Sequence, residues 1–115
     1  MDSEVRAVLK YTGISPLKTR LVVDQVRGMN ADEALSRLRY MSQVAAKPVA
    51  KVIRSAIANA EENLELSRED LYIARIFVDQ APSRRWRRFG ARGRFKGIIR
   101  RSSHITVVLS PRGEA

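Results

Sequence analysis

From Glu4 to Tyr11 apolar and polar positions alternate. Val5, Ala7, Leu9 and Tyr11 fall on one side, and Glu4, Arg6, Val8 and Lys10 on the other. A period of two predicts a half-buried strand. The period then changes. Ser15-Pro16 reads as an N-cap followed by the first helical residue, where proline's fixed φ suits the turn and its missing N–H costs nothing. Leu17, Leu21, Val22 and Val26 follow at helical spacing, and Gly28 is the natural stop. Asn30-Ala31-Asp32-Glu33 has the form of a capping box that opens a short helix through Ala34, Leu35 and Leu38. A longer helix is predicted over residues 43–64. Val49, Val52, Ile53, Ala56, Ile57 and Ala60 share one face, and Lys47, Lys51 and Arg54 the opposite one. Pro48 either marks the start of this helix or kinks it, and the small residues Ala56, Ala58 and Ala60 would allow close approach to a sheet. Leu71 to Val78 reads as a strand, as does the stretch where Ile105, Val107 and Leu109 alternate with His104, Thr106 and Val108.

The expected fold is α+β: a small three-stranded antiparallel sheet packed with three helices, plus a long protruding basic β-hairpin. Residues 1–115 form a single domain, with a globular part at 1–80 and 104–115 and an extended arm at 81–103. The arm follows from length and charge. Ala81 to Ser103 spans 23 residues, against ~2–6 in ordinary connections, and it is too charged to fold back onto a core. As a ribbon at ~3.3 Å per residue it would reach roughly 35 Å.

Charge sharpens this picture. The 115 residues carry 22 Lys and Arg against 12 Asp and Glu, a net charge of +10. Arg84, Arg85, Arg87, Arg88, Arg92, Arg94, Lys96, Arg100 and Arg101 supply nine of those cations within residues 84–101, which hold no acid; the rest of the chain keeps 13 cations against all 12 acids. Eight of the nine are arginine, whose planar fork suits phosphate and stacks on bases. Trp86, Phe89 and Phe95 interleave with them, while Gly90, Gly93 and Gly97 rule out a regular helix. A merely solubilising basic tail would lie at a terminus and lack large aromatics. A phosphate loop would need Gly-Lys-Ser/Thr, which is absent. The segment therefore points to a polyanionic partner, with the ribbon cations and Trp86 as contact residues. In the long helix Lys47, Lys51 and Arg54 precede Glu61 and Glu62, opposite to the preference of the helix dipole. A basic stripe meeting phosphate accounts for that, as does accidental surface charge. Lys18, Arg20 and Arg27 on the first helix, together with Lys51, Arg54 and His104, complete the candidate contacts to a polyanion.

Other chemistry is excluded. There is no cysteine and one histidine, so no catalytic residues, metal site or cofactor are predicted. No run approaches the ~18 apolar residues of a membrane span, and Met1-Asp2-Ser3-Glu4 does not begin a secretory signal. Two alternatives from other classes are an architectural protein inserting a basic arm into nucleic-acid grooves and a protein adaptor using the acidic cluster at 61–70.

The run Ser15-Pro16-Leu17-Lys18-Thr19-Arg20-Leu21-Val22-Val23-Asp24 with Val26-Arg27-Gly28 resembles the first-helix signature of the bacterial-type large-subunit ribosomal protein family L twenty-two. Lys51-Val52-Ile53-Arg54-Ser55-Ala56-Ile57-Ala58-Asn59-Ala60-Glu61, Ala91-Arg92-Gly93-Arg94 and the closing Arg101-Ser102-Ser103-His104-Ile105-Thr106-Val107-Val108-Leu109 resemble it as well. The similarity implies a structural constituent of the large subunit that binds 23S ribosomal RNA. It implies a hairpin lining the nascent-peptide exit tunnel, a globular part near the tunnel exit, and a contribution to subunit assembly. Implied partners are that RNA, neighbouring large-subunit proteins and the passing nascent peptide, in a cytoplasmic or organellar ribosome with no membrane contact. The tunnel-lining tip maps to Arg85, Trp86, Arg87, Arg88, Phe89, Gly90, Ala91 and Arg92.

Overall fold

A computed structural model describes the backbone of residues 4–82, 84–89, 95–100 and 102–111, and the side chains of 4–82 and 102–111. Among the described residues the chain runs through β1 (Val5–Leu9), α1 (Pro16–Val26), α2 (Ala31–Arg39), α3 (Ala46–Asn63), β2 (Leu71–Gln80), β3 (Arg84–Phe89), β4 (Phe95–Arg100) and β5 (Ser103–Pro111). The fold is α+β, with three helices and a three-stranded antiparallel sheet ordered β1-β5-β2. The last strand in sequence is thus the central one. β3 and β4 form a separate two-stranded antiparallel ribbon, and the chain is elongated, 66 × 28 × 21 Å along its principal axes.

One face of the sheet carries the helices. α1 packs on β2, α3 on β1 and β5, and α2 on α3. Val5, Ala7, Ile73, Ile76, Val78, Ile105, Val107 and Leu109 meet Val22, Val23 and Val26 of α1 and Val49, Val52, Ile53, Ala56, Ile57 and Ala60 of α3 in one core. Each large aliphatic there contributes about 1.5–3 kcal/mol of burial. Pro48 stands at the third position of α3, in the first turn, where its missing N–H would have had no helical partner. The helix therefore starts just before it.

Four expectations are corrected in detail. Tyr11 does not continue β1, because its φ of +56° turns the chain into the left-handed region. On α1 the buried residues are Pro16, Thr19, Val22, Val23 and Val26, while Leu17 and Leu21 are 71% and 62% exposed. Two adjacent faces of this helix satisfy helical spacing, and the sheet takes the β-branched one. Ala58 is exposed, on the far side of α3 from Ala56 and Ala60. Asn30 stands at the N-cap of α2 without a side-chain capping bond. Its backbone bridges Tyr72, and the Ile73 N–H donates to the Met29 carbonyl, so this segment serves the edge of β2 instead. Thr106 and Val108 are also buried, although they face away from the helices. As central-strand residues they lie between Val8 and Phe77, and between Arg6 and Arg75, respectively.

The predicted stop at Gly28 is present. Its φ is +81°, and a β-carbon there would meet nothing within 4 Å. Conformation rather than space demands glycine.

Candidate nucleic-acid interface

The basic ribbon grows from the β2–β5 pair. Asp79 and Gln80 pair with His104 and Ser103, and the Ala81 N–H donates to the Ser102 carbonyl at 3.0 Å. Beyond this root β3 and β4 run in the register Arg84↔Arg100, Arg85↔Ile99, Trp86↔Ile98, Arg87↔Gly97, Arg88↔Lys96 and Phe89↔Phe95. Two ladder positions thus oppose residues of like charge, Arg84 to Arg100 and Arg88 to Lys96. Such pairs destabilise a sheet in water, where nothing of opposite sign lies between them. Of the expected tip, Arg85, Trp86, Arg87, Arg88 and Phe89 belong to β3. Gly90, Ala91 and Arg92 lie outside the described residues, as do Arg94 and Arg101 among the expected RNA contacts.

The return leg of the ribbon is fastened to the body by hydroxyl groups. The Ser103 hydroxyl is buried, donates to the Ile14 carbonyl at 3.0 Å, and lies 3.0 Å from the Thr12 hydroxyl and 3.3 Å from that of Thr19. Thr19 donates its single hydroxyl proton to the Ser15 carbonyl at 2.9 Å. The Thr12 hydroxyl reaches both Ser103 Oγ at 3.0 Å and the Ile14 carbonyl, to which it donates at 3.4 Å, and Thr12 Oγ1 accepts the Ile14 N–H at 3.1 Å. Next to this cluster the Gly13 N–H donates to Ser102 Oγ at 2.9 Å, and the Thr12 N–H to the Ser103 carbonyl at 3.1 Å. Ser103→Ala removes the donor to the Ile14 carbonyl and the hydroxyl beside Thr12 and Thr19, and is expected to cost about 0.5–1.5 kcal/mol, measured as a lowered midpoint in urea unfolding. Sequence reasoning did not single out Ser102 or Ser103 for this role, because their partners lie about ninety residues away.

The predicted contact residues of the body divide into two groups. Arg20 donates to the Val78 carbonyl and Arg27 to the Ile76 carbonyl, and Arg27 also pairs with Asp24 at 3.0 Å. Both guanidinium groups thereby fasten α1 to the free edge of β2, satisfying carbonyls that no neighbouring strand takes. His104 is half-buried, and its Nδ1 accepts the Tyr11 N–H at 3.1 Å. Lys18, Lys51 and Arg54 are the other group. They are exposed, and among the described residues none of them makes an ion pair. The acidic cluster is partly engaged, since Arg68 reaches both Glu61 and Asp32 at 3.8 Å. Among the described residues no helix is long and apolar enough to cross a membrane.

Comparison with known proteins finds relatives over nearly the whole chain. The family model for ribosomal protein L22p/L17e matches residues 7–110. The large ribosomal subunit protein uL22 of Chloroflexus aggregans is 49% identical over 111 residues, covering 96% of this chain and 98% of the relative. The uL22 protein of Dehalococcoides mccartyi strain 195 is 50% identical over 107 residues, covering 93% and 98%. That of Magnetococcus marinus is 44% identical over 108 residues, covering 94% and 96%.

Proposed function

The chain belongs to the ribosomal protein L22p/L17e family, and from that premise we propose that its basic ribbon binds 23S ribosomal RNA and lines the nascent-peptide exit tunnel. As a family member it is a structural constituent of the large ribosomal subunit, within a cytoplasmic ribonucleoprotein. The reading assigns it no catalysis. The observation that carries it is the near full-length identity of 49–50% to large-subunit proteins of the same size. The charge layout supports the finer part, because an acid-free ribbon with like charges opposed across its ladder is relieved by intervening phosphates. In this reading the chain is one domain with an arm at 81–103, and its body sits near the tunnel exit. Ribbon residues Arg84, Arg85, Arg87, Arg88, Arg92, Arg94, Lys96, Arg100 and Arg101 neutralise phosphate. Trp86 stacks on an unpaired base, and Lys18, Lys51 and Arg54 add contacts from the body. By holding RNA segments together the arm contributes to subunit assembly.

Sucrose-gradient fractionation tests the placement. The protein is expected to travel with large subunits, to leave them at high salt, and to be released by ribonuclease. Co-migration with protein alone after complete RNA digestion would contradict it. A photoreactive side chain in place of Trp86 is expected to cross-link a nascent chain on stalled ribosomes. Cross-links to ribosomal RNA alone would take that position off the tunnel wall.

A further inference from the structure

The loop between β1 and α1 is laid onto the root of the ribbon amide by amide. The Tyr11 N–H donates to His104 Nδ1 at 3.1 Å, the Thr12 N–H to the Ser103 carbonyl at 3.1 Å, and the Gly13 N–H to Ser102 Oγ at 2.9 Å. Three successive amides of the loop thus meet three successive residues of the ribbon's return leg. The loop needs this fastening. Tyr11 and Gly13 stand at φ +56° and +79°. Glycine takes such a backbone freely, whereas a residue with a β-carbon avoids it unless its surroundings hold it there. At Tyr11 the holder is His104, which accepts the amide and also meets the ring edge-on, with centroids 4.6 Å apart and planes at 87°.

Of the three acceptors only the imidazole changes its protons near neutral pH. A carbonyl and a hydroxyl accept throughout, but Nδ1 accepts only while it carries no proton. The bond to Tyr11 therefore requires the neutral ring with its hydrogen on Nε2. In the imidazolium both nitrogens are donors, and Nδ1–H would face the Tyr11 N–H with nothing to accept from either. Imidazole crosses between these forms within about pH 5 to 8. Two charged groups stand near the ring among the described residues. Asp79 is its partner across the ladder on β2, and Lys10 precedes Tyr11 at the end of β1. Lys10 brings only further donors, while Asp79 offers an imidazolium an acceptor on the side away from Tyr11. On β5 itself Ser103, Ile105 and Thr106 carry no charge, and α1 lies behind the sheet, where it meets Ser103. We infer that His104 is a pH-sensitive latch, its neutral imidazole fastening the β1–α1 loop to the ribbon's return leg and its protonation releasing Tyr11 and loosening the ribbon's root. The fastening is present on the alkaline side and is lost as pH falls. His104 is the chain's one histidine, so no other imidazole shares the role.

Nuclear magnetic resonance of the full chain tests this between about pH 8 and pH 5. The single imidazole gives one pair of ring nitrogen signals, which report its tautomer and its midpoint. The neutral ring is expected to carry its hydrogen on Nε2, and the Tyr11 amide signal to move with the same midpoint as the ring. Backbone order parameters of residues 11–13 and of Ser102 should fall from about 0.85 to below about 0.6 across that midpoint, with Val107 in the core unchanged. His104→Asn sets an amide oxygen close to the place of Nδ1 and does not titrate, so its loop should stay ordered at both ends of the range. His104→Phe keeps a ring but no acceptor, and its loop should be mobile at both. Circular dichroism melts establish that each variant is folded, and the titration of the unaltered protein decides the matter where one is not. A neutral ring with its hydrogen on Nδ1 overturns the inference, as does a loop whose order ignores the ring's midpoint. So does an unchanged pH response in His104→Asn, which would assign the effect to a carboxylate such as Asp79.

Discussion

Excising residues 84–101 is expected to leave a folded protein whose affinity for 23S ribosomal RNA falls on the order of a thousandfold at moderate salt. The remaining Pro82-Ser83, changed to Asn-Gly, makes a two-residue hairpin connection between Ala81 and Ser102, which are already hydrogen-bonded. No residue of the described core belongs to the excised segment, so the body should keep its melting transition. The nine cations removed are most of the net +10. If roughly six to nine of them displace counterions in the intact protein, the arm contributes about −4 to −8 to the slope of log K against log salt. Without the arm it should flatten to about −3, the share of the body's own cations. Filter binding across a salt series reads both numbers. Equal slopes for the intact and shortened proteins would take the arm out of the interface.

Ile53→Ala is expected to be the most damaging of the conservative changes in the body. Ile53 is fully buried at the centre of α3, the helix that contacts β1, β5 and both other helices. Truncation there loses burial and leaves a cavity that several rigid elements surround, at a cost of about 2–5 kcal/mol. For a domain of this size that corresponds to a fall in melting temperature of roughly 10–30 °C. Leu17→Ala is the contrast. Leu17 is a larger apolar side chain than most in the core but stands on the outer face of α1, so its loss should change stability by under about 0.5 kcal/mol. Thermal melts followed by circular dichroism separate the two. A comparable loss at both positions would mean that α1 and α3 bury different faces from those described.

Much of this architecture is readable from the chain because it depends on near neighbours. The Ser15-Pro16 start and Gly28 stop of α1 are local conformational choices, and both stand where the pattern puts them. The buried face of α3 also follows the pattern residue by residue, since Val49 to Ala60 offers a single apolar stripe with cations opposite. α1 offers two overlapping stripes, and periodicity has no means of choosing Val23 over Leu21. The candidate interface divides in the same way. The acid-free ribbon is visible as a count of charges. Arg20 and Arg27 look like any other exposed cations until β2 is placed beside them with carbonyls to fill.

Helix and strand periods, the Ser15 cap, and the concentration of +9 in eighteen residues are sums over short stretches of chain, and the amino-acid order is sufficient for them. The sheet order β1-β5-β2, the burial of Thr106 and Val108, and the hydroxyl clamp at Ser103 belong to the assembled molecule. So does the meeting of Tyr11 with His104. Each of these joins groups that the chain holds far apart, 93 residues in the case of Tyr11 and His104. Packing selects such contacts by the combined burial and hydrogen bonding of the whole core, which no local pattern encodes.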